Sequence, residues 1–352
     1  MPFDPPYRPR RTLRSAADLV AAGLVPPEAA ADLARVADRY AVAVPPALAD
    51  LIDPADPADP IRRQVVPSAA ELEAAPGELV DPIGDEAYSP VKGVVHRYPD
   101  RVLLKPVLVC PLYCRFCFRR ETVGGADGGL SVEELEAALA YIAGQQGVRE
   151  VVLTGGDPLM LPPPRLAALI ERLCRLPQIE LVRVHSRVPV AEPNRVTPAQ
   201  AQALRAPDGS EAAVWLAVHV NHPRELSPAV RRGLALLADA GVPLLSQTVL
   251  LKGVNADAAV LDSLFRALVR NRVRPYYLHH PDLAPGTAHF RPTLAEGRAI
   301  MRDLRGRLTG IAQPTYVLDI PGGAGKVPVG PEYLDEAAGT VTDWQGRVHR
   351  YE

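Results

Sequence analysis

The 352 residues carry 39 Lys and Arg against 41 Asp and Glu, a formal net charge of -2, with 47% hydrophobic and 23% charged residues. This balance gives no electrostatic basis for nucleic acid or an anionic membrane as the main partner. The composition is that of a globular, soluble chain, long enough for one large domain or for a domain with a smaller appendage.

No run of about 18 apolar residues is present to span a membrane. The opening MPFDPPYRPRRTLRSAADLV lacks the apolar core of a secretory signal, so a cytoplasmic location is expected. SAADLVAAGL and PPEAAADLARVADRY carry apolar residues at helical spacing, with start signals at Ser15 and Asp18 and at the pair Pro26 and Pro27. DPADPADP, from Asp53 to Pro60, repeats proline every third residue and reads as a short extended linker. SAAELEAA, from Ser68, has a capping-box pattern. Residues 1–95 are thus expected to form a mostly helical, proline-punctuated N-terminal region.

From Arg101 the rhythm changes. RVLLKPVLV precedes SVEELEAALAYIAGQ, REVVLTGG precedes PPPRLAALIERLCRL, and IELVRVHS precedes TPAQAQALRA. AAVWLAVHV, VPLLSQTVLL and VRPYYLHH are each followed by a helical stretch in the same way. Six strand–helix units predict parallel strands joined by helical crossovers, in a full or partial barrel, with an open doubly wound sheet giving a similar pattern. Polar and glycine-rich residues cluster just after each strand, as in TGGDP, HSRVP, HVNHP, QTVLLKGVN and HHPDLAPG. C-terminal strand ends build the site in parallel α/β architectures, which favours the barrel.

Three of the four cysteines fall within VCPLYCRFCFRRE, at Cys110, Cys114 and Cys117. Clustered thiols in a chain lacking an export signal fit a metal site in a reducing compartment better than a disulfide framework. Structural zinc usually takes four ligands in paired C-x2-C units. Three thiolates in one loop suit a cubane iron–sulfur cluster, whose fourth iron stays open to a small molecule. The C-x3-C-x2-C spacing resembles that of the radical S-adenosylmethionine (SAM) superfamily, in which the open iron is chelated by SAM. LTGGDPLM strengthens the likeness, with Gly155, Gly156 and Asp157 standing where the family has its GGE-type motif for the SAM amino group.

Near the C-terminus, Lys326 follows PGGAG. A glycine-rich turn ending in lysine lacks the Walker spacing, but a lysine on such a loop suits covalent attachment of pyridoxal phosphate (PLP). From VVHRYPDRVLL to GKVPVGPEY the chain resembles the lysine 2,3-aminomutase family, PLP-dependent radical SAM enzymes, through HRYPDR, CPLYCRFCFRR, GGDPL, SRVPV, NHP, LADAG, QTVLLKGVN and PGGAGK. The resemblance implies a partial (β/α)6 TIM-like barrel over 96–312 and a segment over 313–352 carrying the PLP lysine, Lys326. It also implies a [4Fe-4S] cluster on Cys110, Cys114 and Cys117, and Arg97, Arg101 and Arg187 near the PLP phosphate. His219 and Gln247 are implied as SAM contacts. Arg119 is implied to pair with the substrate α-carboxylate, and Asp282 and Asp319 to hold a lysine ε-ammonium. Arg120 keeps the reading of an ordinary loop charge.

The implied reaction is an isomerisation of L-lysine and β-lysine by 2,3-amino migration with SAM regenerated, and a flavodoxin- or ferredoxin-like electron donor. The chain lacks the additional cysteines of zinc-binding clostridial relatives and their longer C-terminal segment. No zinc is therefore expected, Cys174 reads as a buried apolar residue, and a homodimer is the assembly considered. Its short length and CRFCFRR resemble the branch supplying β-lysine for elongation factor P modification. The competing readings are a non-catalytic iron–sulfur protein and a radical enzyme that consumes SAM.

Overall fold

The computed structural model describes residues 11–124 and 128–351. The first ten residues of the anticipated N-terminal region lie outside the described residues. Four short helices, α1 (Ala16–Ala21), α2 (Ala30–Arg39), α3 (Pro46–Ala49) and α4 (Pro60–Val65), are separated by turns. Ser15 caps α1 by accepting the Asp18 N–H at 3.0 Å, as its sequence pattern predicts.

The region is less helical than expected because prolines and Asx turns interrupt it. DPADPADP is not an extended linker: the Asp53 and Asp56 carboxylates accept the N–H groups two residues on, at 2.9 and 2.8 Å. These two successive turns end at Asp59, which is fully buried and caps α4 through the Ile61 and Arg62 N–H groups. The Ser68 capping box forms, but over only one turn of 3-10 helix, Ala69–Leu72.

The strands are β1 (Val94–Tyr98), β2 (Arg101–Val107), β3 (Glu150–Gly155), β4 (Leu181–Ser186), β5 (Ala213–His219), β6 (Leu244–Val249), β7 (Val273–His279), β8 (Thr315–Ile320) and β9 (Gly325–Pro328). They form one sheet in chain order, parallel from β2 to β8, with β1 and β9 antiparallel at the edges. The crossovers carry α5 (Val132–Gly144), α6 (Pro163–Cys174), α7 (Val188–Ala191), α8 (Pro198–Ala203), α9 (Pro228–Asp239), α10 (Ala258–Arg270) and α11 (Leu294–Arg307).

This is the expected partial barrel of six strand–helix units, extended by β8 and the β9 return. The edges are drawn together at one point, where the Lys326 N–H donates to Tyr98 Oη at 2.7 Å. Crossover helices bury their apolar stripe on the strands, as with Leu166, Leu169, Ile170, Leu173 and Cys174 of α6. Cys174 is accordingly a buried apolar residue. Leu19, Leu48 and Val65 join the same core as Leu104, Leu153 and Leu216, so the N-terminal elements pack directly on the barrel. A small sheet, β10 (Leu334–Asp335), β11 (Thr340–Thr342) and β12 (Val348–Arg350), ends the described chain. Among the described residues no helix is long and apolar enough to cross a membrane.

Candidate active site

Side chains from β1 to β9 and the loops between them line one cavity of about 440 Å³. Cys110, Cys114 and Cys117 all face it. Their loop is shaped from outside the barrel: the Tyr113 N–H donates to Ala43 O at 3.0 Å and the Arg115 N–H to Gln64 O at 2.9 Å. Arg115 and Arg120 flank Cys117 and pair with one carboxylate. Arg115 Nη2 is 2.5 Å from Glu71 Oε2, and Arg120 Nη2 bonds the same oxygen. Arg120 also donates to the carbonyls of Arg115, Pro285 and Gly286, and lies 3.6 Å above the Tyr40 ring. At 2% exposure Arg120 is a sealed structural group, which corrects its reading as a loop charge. Burial pushes the Cys117 thiol up to about 11 and the Cys110 thiol higher still.

Gly156 lets β3 approach the thiol loop, since a Cβ there would lie 2.5 Å from Val109 O. Asp157 was expected among the cofactor contacts, but both its oxygens are occupied internally. They accept from Leu159 N at 3.0 Å, Ser186 Oγ at 2.8 Å, Arg187 N at 2.7 Å and Val188 N at 3.0 Å. Those donors turn the chain after β4 and aim Arg187 at the thiols rather than at a phosphate beside Lys326. Its guanidinium donates to Cys114 Sγ at 2.9 Å, and to Gln64 Oε1 and Glu225 Oε1 at 2.7 Å. Grouping Arg187 with Arg97 and Arg101 is therefore corrected.

His219 and Gln247 stand side by side as register partners on β5 and β6, and both line the cavity. His219 Nε2 is 3.2 Å from Asn221 Oδ1, and desolvation pulls its imidazole down to about 3. Gln247 Nε2 lies 3.4 Å from Nε2 of His185 on β4. Burial, joined by the charges of Arg183, Arg119 and Lys326, keeps His185 neutral far below its ordinary range.

The predicted lysine lies on a strand rather than on a flexible loop. β9 returns antiparallel to β8, which makes Lys326 the direct register partner of Asp319. Their side chains form an ion pair, and Lys326 Nζ lies 3.3 Å from His279 Nδ1. Gly325 has φ +106, and a Cβ there would lie 2.9 Å from Tyr98 Oη, so glycine is required for the lysine backbone to reach Tyr98. Arg101 stacks 3.7 Å over the same Tyr98 ring, which puts it beside the lysine. Asp282, in the loop after β7, is pushed up to about 7, by burial first and then by the Asp319 carboxylate.

Arg119 lines the cavity with Arg97. Its Nε and Nη2 both lie 2.9 Å from Asp85 Oδ2, and its Nη1 reaches Thr154 Oγ1 at 3.4 Å. Arg97 Nη2 is 3.5 Å from Asp85 Oδ1 and also donates to Ile83 O.

Six lining side chains keep a buried polar atom with no hydrogen-bond partner among the described residues: Arg97 Nε, Glu150 Oε1, Arg183 Nε, Arg187 Nε, His279 Nε2 and Asp282 Oδ1, of which Glu150 Oε1 and Arg183 Nε face each other as an ion pair at 2.9 Å. Such groups are rare in protein interiors, so the cavity fits an occupant with anionic and cationic parts. No group of three or more His, Cys, Asp or Glu among the described residues is arranged for a single ion. Three thiols facing one cavity instead fit a cluster, in which each thiolate takes its own iron.

Sequence reasoning missed His185, His279, Asp85, Glu71 and Glu225. The two histidines were findable, because both lie near the C-terminal ends of strands, where the other polar candidates cluster. Among the acids Glu71 had a local signal, as the capping-box partner of Ser68, but the pairing of each acid with an arginine distant in sequence has none.

Comparison with known proteins places residues 104–264 on the model of the Radical SAM superfamily and residues 301–342 on that described as Lysine-2,3-aminomutase. The chain is 44% identical over 293 residues to the L-lysine 2,3-aminomutase of Clostridium subterminale, covering 83% of this chain and 70% of that protein. It is 43% identical over 308 residues to the L-lysine 2,3-aminomutase of Acetoanaerobium sticklandii, covering 88% and 73%. The glutamate 2,3-aminomutase of Clostridioides difficile is also similar, 36% identical over 321 residues, covering 90% and 75%.

Proposed function

The chain belongs to the lysine 2,3-aminomutase family of radical SAM enzymes, and from that premise we propose that it interconverts L-lysine and β-lysine by 2,3-amino migration, with SAM regenerated. The observation that carries this reading is one cavity lined by three thiols, a guanidinium wall and a lysine paired with an acid. In this reading Cys110, Cys114 and Cys117 hold three irons of a [4Fe-4S] cluster, and the fourth takes SAM beside His219 and Gln247. Lys326 holds PLP, with Arg97 and Arg101 turned toward its phosphate. When bound, the cluster and SAM supply hydrogen-atom abstraction next to the substrate amine, and PLP supplies delocalisation for the migrating nitrogen.

The protein's own part is orientation. Arg119 takes the α-carboxylate through its guanidinium edge. Asp282 and Asp319 take the ε-ammonium. In the structure Lys326 supplies the positive charge facing Asp319, and once Lys326 is committed to the cofactor the substrate ammonium replaces it. Glutamate would bring a third carboxylate to that corner, so lysine is preferred. Phe116 and Val249, which line the cavity, keep bulk water from the reacting carbon.

The test is anaerobic incubation of cluster-reconstituted, PLP-loaded protein with SAM, a reductant and either L-lysine or L-glutamate. β-Lysine should accumulate over many turnovers per SAM, with little β-glutamate. Stoichiometric 5′-deoxyadenosine, or no β-lysine with cluster and PLP both present, would overturn the proposal.

A further inference from the structure

Behind the guanidinium wall lies a carboxylate that does not itself line the cavity. Asp85 is 7% exposed. Its backbone is fixed by Asp81 Oδ1, which accepts the Asp85 N–H at 2.9 Å, while Ser89 Oγ donates to Asp85 O at 2.7 Å. Three cations converge on it: Arg119 Nη2 at 2.9 Å, Lys105 Nζ at 3.5 Å and Arg97 Nη2 at 3.5 Å. Arg119 presents its Nε and Nη2 edge backward to Asp85. On the cavity side its Nη1 makes only the 3.4 Å contact to Thr154 Oγ1.

The charges do not cancel. Three cations against the two carboxylates of Asp85 and Asp81, whose charge also acts on Lys105, leave this wall net positive, and Lys105, also behind the cavity surface, adds its charge without occupying cavity space. Burial raises the Asp85 carboxyl, but the charges of Arg119 and Lys105 outweigh it and hold the group below its ordinary range. Asp85 is thus the fixed pivot from which two cavity-facing guanidiniums diverge.

We infer that Asp85 is a positioning residue for substrate recognition: it fixes Arg119 through one carboxylate oxygen and keeps Arg97 apart on the other, so that Arg119, with Lys105 behind it, receives the α-carboxylate of an amino-acid substrate. This rests on the reading of Arg119 as the carboxylate-binding residue. It explains why Arg119 is tied along one edge only, since a fork gripped on both edges would have no face left for a ligand.

The experiment is calorimetric titration of PLP-loaded, cluster-reconstituted protein, without SAM so that nothing turns over. The ligands are L-lysine and 1,5-diaminopentane, which keeps both amines and lacks the carboxylate. Asp85→Asn should weaken L-lysine binding by about 10- to 100-fold, the usual effect of losing a charge-assisted hydrogen bond. It should change diaminopentane binding by less than about 2-fold, and Asp85→Glu should recover most of the lysine affinity. Unchanged lysine affinity in Asp85→Asn overturns the inference, and so does equal weakening of both ligands, the mark of a merely structural role. If Asp85→Asn does not fold, Asp85→Ser, which also removes the charge, carries the test with the same readings: a loss confined to lysine supports the inference, and an unchanged lysine affinity or equal weakening of both ligands overturns it. Arg119→Lys separates this outcome from failure of the underlying reading. If Arg119→Lys binds lysine like the parent, the carboxylate assignment itself is wrong.

Discussion

The wall around Asp85 sets three cations against two carboxylates, Asp85 and Asp81, whereas the corner around Lys326 sets two carboxylates, Asp319 and Asp282, around one ammonium. The first stays positive, whereas the second is balanced only while Asp282 holds a proton and turns negative when that proton leaves. The two regions also differ in construction. The wall is pinned by a carboxylate outside the cavity, but the corner is held by a cross-strand pair whose lysine is the proposed attachment point for PLP. A cavity polarised in this way accepts a molecule with a carboxylate at one end and an ammonium at the other in a single orientation, which is what positional amino migration requires.

Breaking the corner should cost most. Lys326→Ala removes the proposed covalent attachment point and the cation paired with Asp319. β-Lysine formation should fall by roughly a thousandfold or more, and borohydride should no longer fix PLP to the protein. Retained activity with retained fixation at another lysine would reassign the site.

A smaller effect is expected from Asp319→Asn, which keeps the shape of the corner and removes one charge. The kcat/KM for lysine should drop by about 10- to 100-fold. Discrimination against glutamate should shrink with it, which competition kinetics would measure.

The mildest test varies pH alone. Burial and the Asp319 charge lift the Asp282 carboxyl to about 7 from an ordinary 3.8. Between those values the free site therefore carries a proton, which the incoming ammonium must expel. Lysine affinity should weaken as pH falls, approaching about tenfold per unit below pH 7 and levelling off above it. His279 does not imitate this, because burial and the neighbouring Lys326 keep it neutral throughout the range. A profile flat between pH 6 and 8.5, or one that persists in Asp282→Asn, would remove Asp282 from ammonium binding.

Much of this was legible in the sequence where the signal is local. Period-two and helical patterning located the strand–helix units, and the cysteine spacing together with PGGAGK marked both ends of the cavity. Side-chain direction was harder. The family resemblance put Arg187 near the PLP phosphate, yet the Asp157 carboxylate organises that turn and aims it at Cys114. Arg119 and Arg120 are neighbours of identical chemistry, and their opposite fates follow from acids 34 and 49 residues earlier, Asp85 and Glu71. Partnerships of that kind leave no periodicity to read. DPADPADP was misjudged because proline spacing reports what a helix cannot do, while the aspartates decided which turn formed instead.

The Glu71 clamp has a consequence for the order of assembly during synthesis. Arg115 and Arg120 find Glu71 only 44 and 49 residues back along the chain. The contact between Lys326 and Tyr98 spans 228 residues and must wait for the last barrel strand. Short loops close at lower entropic cost than long ones. The Glu71 clamp on the cysteine loop can therefore form while most of the barrel is still unmade, its bonds from Arg120 to Pro285 and Gly286 follow after β7, and the lysine end is completed only when the final strand returns to the first.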